Sequence, residues 1–151
     1  MSRIWPDTRS LCRGLGAAVI LVAGGTAFDY WTASAAGLES SSLFSEAQAT
    51  RGSEVSGAHC AVCHGAGLTG GGGSPPLQGP DFLFGWSPKS TGDLVAYISE
   101  KMPPGQGRSL TEQQYIDVSA YILSANGFPA GSSSLHPALP KPIGKPPATA
   151  Q

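Results

Sequence analysis

Charge is the first scarcity in this 151-residue chain: Asp, Glu, Lys and Arg make up 13% of it, about half the usual quarter. Neither sign is in excess, with nine Lys and Arg against ten Asp and Glu. A nucleic-acid binder needs a basic face to neutralise phosphates, so that class is excluded. Aromatic residues are few, at 8%. No stretch alternates apolar and polar residues with the period of two that a half-buried strand requires, which leaves an all-α reading. Cysteine and methionine number only three and two. What is abundant is glycine (21) and proline (13), the residues of loops and tails around a small core. The chain is too short and loop-rich for a large α/β enzyme. A domain so composed needs something besides its own side chains to complete its interior.

The two ends stand apart in composition. Arg3, Arg9 and Arg13 precede an uncharged apolar run from Gly14 to Phe28, and Ala33-Ser34-Ala35 supplies small residues where a signal peptidase cuts. Residues 1–35 are therefore expected to be a signal peptide directing export to the periplasm. The run is shorter than the roughly 17–25 apolar residues of a spanning helix, and its glycines weaken it further; an uncleaved membrane anchor is the alternative. Cys12 lies ahead of the run, where a lipoprotein cysteine could not sit, and is removed with the signal. Six basic and eight acidic residues then remain, a net charge of −2 with no block of either sign, so strong electrostatic steering of a partner is not expected. At the other end, residues 131–151 are rich in proline and nearly devoid of large apolar residues. That composition predicts an extended, mobile tail. The folded unit is then residues 42–130.

Three helices are expected within it. Ser45-Glu46-Ala47-Gln48 is a capping box with Phe44 as the apolar staple, and its helix runs through Val55 to about Gly57. Ser90 or Thr91 caps a second, whose Leu94, Val95, Tyr97 and Ile98 fall on one face. Pro103 stops it and biases Met102 toward an extended backbone. Thr111-Glu112-Gln113-Gln114 opens the third, stapled by Leu110 and Tyr115, with Tyr115, Val118, Ile122 and Ala125 at helical spacing. Asn126-Gly127 and then Pro129 end it. Between the first two helices, residues 65–90 carry no periodic segment beyond a turn near Phe82. A connection this long belongs in a small domain only if it wraps a bound body.

Cys60-Ala61-Val62-Cys63-His64 identifies that body. Cys-x-x-Cys-His is the attachment sequence for c-type haem. Two thiols three residues apart on one helical turn can add to the two vinyl groups along one porphyrin edge, and the next residue, His64, then offers its imidazole to the iron. A redox Cys-x-x-Cys would be expected near a βαβ unit, which is missing. Zinc needs four ligands, and Cys60, Cys63, His59 and His64 are too adjacent in sequence to surround one ion. For the sixth iron ligand, Met1 leaves with the signal and Met102 is the only methionine remaining. It lies 38 residues after His64, enough chain to round the haem edge, and Pro103-Pro104 direct it rigidly. A lone methionine is normally a core filler; here it is read as a ligand. His59 sits in the attaching helix and His136 in the tail, and both are read as solvated.

These motifs make the chain resemble a class I cytochrome c, of the mono-haem type that serves dehydrogenases and oxidases. The resemblance spans residues 44–131 and rests on Gln48 to Gly52, the Cys60–His64 motif, Pro75 to Gly79, Asp93 to Pro103 and Ala120 to Pro129. It implies a small cytochrome c fold, with three main helices and a long loop around one covalently attached haem c, and His64 and Met102 as its axial ligands. It further implies that the Pro75 carbonyl accepts the proton on the histidine's other nitrogen, fixing the ring. Gly52 matches the small residue where first and last helices cross, beside Tyr121. Trp86 matches a residue that lines the haem near a propionate, with an ordinary core aromatic as the alternative. Ser56 departs from the family, which often has an aromatic there.

An iron with both axial positions filled has no room for substrate, so the expected function is single-electron transfer, not catalysis. Thioether ligation favours Fe(II), and electrons are expected to pass near Val62 and Gly65 to Gly67. The expected partners are a redox protein donor and acceptor: a dehydrogenase, an oxidase or a membrane cytochrome complex. The chain itself is expected to be a monomer or a subunit of such a complex. Two other readings stand beside this one: a tightly bound cytochrome subunit of a periplasmic dehydrogenase, and a haem gas sensor or peroxidase with a labile sixth ligand. Gly65 to Gly70 fits G-x-G-x-x-G, but it follows no strand and opens no helix, which excludes a dinucleotide site.

Overall fold

Three reciprocal caps set the helical frame. In the computed structural model, which describes residues 42–148, the elements are α1 (Glu46–His59), α2 (Ala61–His64), α3 (Pro80–Trp86), α4 (Thr91–Lys101) and α5 (Glu112–Ala125), with no strand among the described residues. The expected export segment, residues 1–35, lies outside that range. Ser45, Ser90 and Thr111 cap α1, α4 and α5. Each side-chain oxygen accepts from the backbone N–H three residues on, and that residue's side chain accepts from the cap's own N–H. Two otherwise unpaired helix-end donors are satisfied at each site. The staple residue Phe44 is fully buried. None of these helices is long and apolar enough to cross a membrane.

α1 packs along α5, and α4 against α5. The approach of α1 to α5 depends on Gly52: a Cβ there would run into the Asp117 backbone and sit 2.8 Å from the Tyr121 Cβ. Beside the crossing, Arg51 donates to both carboxylate oxygens of the buried Asp117, at 2.7 and 2.9 Å, and Gln113 adds a third bond at 2.9 Å. Ser56, in place of the family's aromatic, is buried at 3% exposure.

The long connection carries more order than its composition suggests. Leu68 is plugged into the core at 1% exposure, and Leu77 N–H donates to its carbonyl at 2.8 Å. α3 then starts with proline at its first turn and buries Phe82. Asn126, past the end of α5, ties the region down: Gly79 N–H donates to its side-chain oxygen, and its amide donates to Leu77 O, both at 2.9 Å.

The tail requires a correction. Its described part, residues 131–148, is extended, as its prolines dictate, yet it is docked on the helices as a strap. Gly131 N–H donates to Phe44 O at 3.1 Å. The Gln48 amide both donates to Leu135 O (2.9 Å) and accepts from Leu135 N–H (2.8 Å). Further on, Thr91 N–H donates to Lys141 O, Lys141 N–H donates to the Thr91 hydroxyl, and Ile143 N–H donates to Lys89 O. Leu135 and Ile143 are buried at 3% and 4% exposure. Prolines reduce the freedom an unfolded chain loses on docking, so two apolar anchors hold a segment whose mean composition looks unable to fold.

Candidate functional site

A break at Cys60 separates α1 from α2, a single turn in which His64 N–H donates to Cys60 O at 2.9 Å and Cys63 N–H to the same carbonyl at 3.1 Å. Both cysteines therefore lie on one turn, Cys60 half-buried and Cys63 exposed. Burial pushes the Cys60 thiol above its ordinary value; a hydrogen bond with Ser56 offsets part of the rise, and neighbouring Cys63 adds to it.

His64 is buried at 6% exposure, with Nδ1 2.8 Å from Pro75 O. A carbonyl oxygen only accepts, so Nδ1 carries the hydrogen and Nε2 keeps its lone pair for a metal. The loop that brings Pro75 back to the ring passes Gly70, at φ +86°, where a Cβ would meet Pro76 N and Ser74 O at 3.0 Å. Glycine is required at that return.

Met102 leaves the end of α4 with φ −125° and ψ 142°, the extended backbone expected before proline. Its carbonyl accepts from the Tyr115 hydroxyl at 3.1 Å. Trp86 lies under the Lys89 ammonium, 4.2 Å from nitrogen to ring centroid, and meets Tyr97 edge-on at 5.4 Å between centroids.

These parts face one cavity of about 480 Å³. Cys60, Cys63, His64, Pro75, Trp86 and Met102 all line it, so the structure brings together the residues expected to hold the haem. His59 also reaches the lining and is exposed. His136 is on the strap, away from the cavity, where its Nδ1 accepts from Ala138 N–H at 3.3 Å. Leu94, Ile98, Val118 and Ile122 supply apolar wall. A flat, largely hydrophobic macrocycle with a central metal fits this lining: two thiols on one turn, an imidazole with only Nε2 free, and one thioether. Sequence reasoning missed Asn126, read only as a helix stop, and Lys89. It also gave Tyr115 no part in the site, placing it only as a staple beside Leu110.

Comparison with known proteins gives a family for the chain. The profile of the family described as cytochrome C oxidase, cbb3-type, subunit III matches residues 47–122, half of the chain. Among curated proteins, the chain is 33% identical over 89 residues to the cbb3-type cytochrome c oxidase subunit FixP of Sinorhizobium medicae (strain WSM419), covering 52% of this chain and 30% of that one. It is 39% identical over 80 residues to a thiosulfate dehydrogenase of Stutzerimonas stutzeri (strain A1501), covering 49% of this chain and 26% of that one. A solved structure, the as-isolated thiosulfate dehydrogenase (TsdBA) from Marichromatium purpuratum, matches at 36% identity with a TM-score of 0.42, over 49% of this chain and 17% of that one. The chain thus spans under a third of the length of each of these two curated relatives.

Proposed function

The chain belongs to the cbb3-type cytochrome c oxidase subunit III family, whose cytochrome c domain binds haem c covalently, and from that premise we propose that it is a periplasmic one-electron carrier. Cys60 and Cys63 would hold the haem by thioether bonds, with His64 and Met102 on the iron. When bound, that group supplies an Fe(III)/Fe(II) couple; the rest is the work of the chain. Pro75 O fixes the His64 ring and its tautomer, so one ligand serves both oxidation states without turning. Leu94, Ile98, Val118 and Ile122 keep water from the cavity interior. Val62, 90% exposed between the two thiols, puts the attachment edge at the surface, where a partner protein can approach.

The single observation that carries this reading is the His64 Nδ1–Pro75 O bond at the wall of a cavity that also holds both thiols and Met102. With His64 and Met102 both on the iron no position would be left for a substrate, which favours electron transfer over an enzyme, a gas sensor or a peroxidase. The two curated relatives reported above are named as an oxidase subunit and a dehydrogenase, which favours partners within such respiratory complexes. They also support the second reading, a bound subunit in place of a free carrier.

The test is an optical spectrum of the exported protein, oxidised and then reduced, with acid–acetone extraction. Haem that survives extraction, together with the far-red band of Fe(III)–methionine, is the expected result. Extractable haem would refute attachment through Cys60 and Cys63, and a missing band would refute Met102.

A further inference from the structure

Tyr115 is 2% exposed, yet its hydroxyl faces the segment that bears Met102. It donates to Met102 O at 3.1 Å and accepts from Leu110 N–H at 3.2 Å. One phenol therefore joins the two ends of the connection between α4 and α5. The start of that connection, Pro103-Pro104, has no backbone N–H with which to anchor itself. Met102 N–H, the last backbone bond of α4, donates to Ile98 O at 2.9 Å, and other backbone bonds lie further along, among them Arg108 N–H to Ser99 O at 2.8 Å and Gln106 N–H to Pro103 O at 2.9 Å. None of these holds the methionine's carbonyl. The ring itself lines the same cavity as Met102, and α5, capped at Thr111 and packed on α1, holds it in place.

We propose that Tyr115 is the positioning residue for Met102: its hydroxyl clamps the methionine's carbonyl to the start of α5 and so holds the thioether at the cavity. The inference rests on the reading of Met102 as the sixth ligand. Without the clamp, the methionine keeps its N–H bond to Ile98 O but loses the link from its carbonyl to the start of α5, and an external ligand displaces the thioether more readily. A phenol that merely filled core volume would be replaced by phenylalanine without consequence at the iron.

The experiment compares Tyr115→Phe with the unaltered, haem-loaded protein. Phenylalanine keeps the ring and removes only the hydroxyl. The far-red methionine band of the ferric form is recorded, and cyanide is titrated in. Tyr115→Phe is expected to weaken the band and tighten apparent cyanide binding by roughly three- to tenfold, the factor that one neutral hydrogen bond corresponds to. Gln48→Ala, which unhooks the strap away from the cavity, serves as a control that lowers stability without touching the band. An unchanged band and cyanide affinity in Tyr115→Phe would overturn the inference, as would an equal change in Gln48→Ala. An unaltered protein that lacks the band would instead overturn the assignment of Met102, and this inference with it.

Discussion

Gly52 has the closest surroundings of the glycines in the helices. A methyl group there would overlap the Asp117 backbone and crowd the Tyr121 Cβ. No rotamer relieves a clash made by Cβ itself, so α1 would have to lift from α5. Gly52→Ala is expected to cost about 3 kcal/mol, at the upper end of overpacking effects, read as a lower midpoint in denaturant unfolding of the haem-loaded protein. A change below about 1 kcal/mol would mean the two helices can separate cheaply. At this scale the candidate site was legible wherever its chemistry is local. Cys60, Cys63 and His64 are neighbours in one motif, and Met102 needed only a count of methionines. The Tyr115 clamp was not legible, because it joins residues 13 apart through a side-chain direction that no sequence spacing encodes.

At the scale of the element, the cap of α4 carries a pH dependence. The Asp93 carboxylate accepts from Ser90 Oγ at 2.7 Å and from Ser90 N–H at 2.9 Å. These bonds hold it below its ordinary value of 3.8, with nearby Lys89 a smaller influence in the same direction. A carboxylate depressed in the folded state contributes stability that is complete above its unfolded value and lost as the pH falls through the folded one. Stability should therefore decline as acid takes the pH below about 4, and Ser90→Ala should flatten that part of the profile. Thermal unfolding followed from about pH 5 to pH 2 checks this; identical profiles in the two proteins would remove Asp93 from the account. α1 and α5 were readable because a capping box is a short, directional signal, and α4 from a cap at Ser90 or Thr91 and its apolar face; the Ser90–Asp93 box itself was not read. α3 was not: it has only seven residues, and its run Phe82-Leu83-Phe84 includes a residue 89% exposed, so no apolar stripe betrays it.

Over the whole molecule, the strap decides how the frame closes. It meets α1 through Gln48, the start of α4 through Thr91, and the segment ahead of α1 through the Lys141 ammonium on Ser42 O at 2.8 Å. Its low hydrophobic content concealed this, because docking depends on two residues, Leu135 and Ile143, and not on the mean of the segment. None of residues 131–148 lines the cavity. Frame stability and iron chemistry are thus separable in this fold, which supplies the last prediction. Leu135→Ala and Ile143→Ala each vacate a buried site on a segment that can settle inward, so each is expected to cost about 2 kcal/mol, the low end for large-to-small core changes. Gln48→Ala leaves the Leu135 N–H and C=O without their partner and should cost about 1–3 kcal/mol. All three should lower the unfolding midpoint while leaving the far-red band and the reduction potential where they are in the unaltered protein. A shift in potential from any of them would mean that the strap is coupled to the haem site through α1 or α4, and the division between frame and site would have to be abandoned.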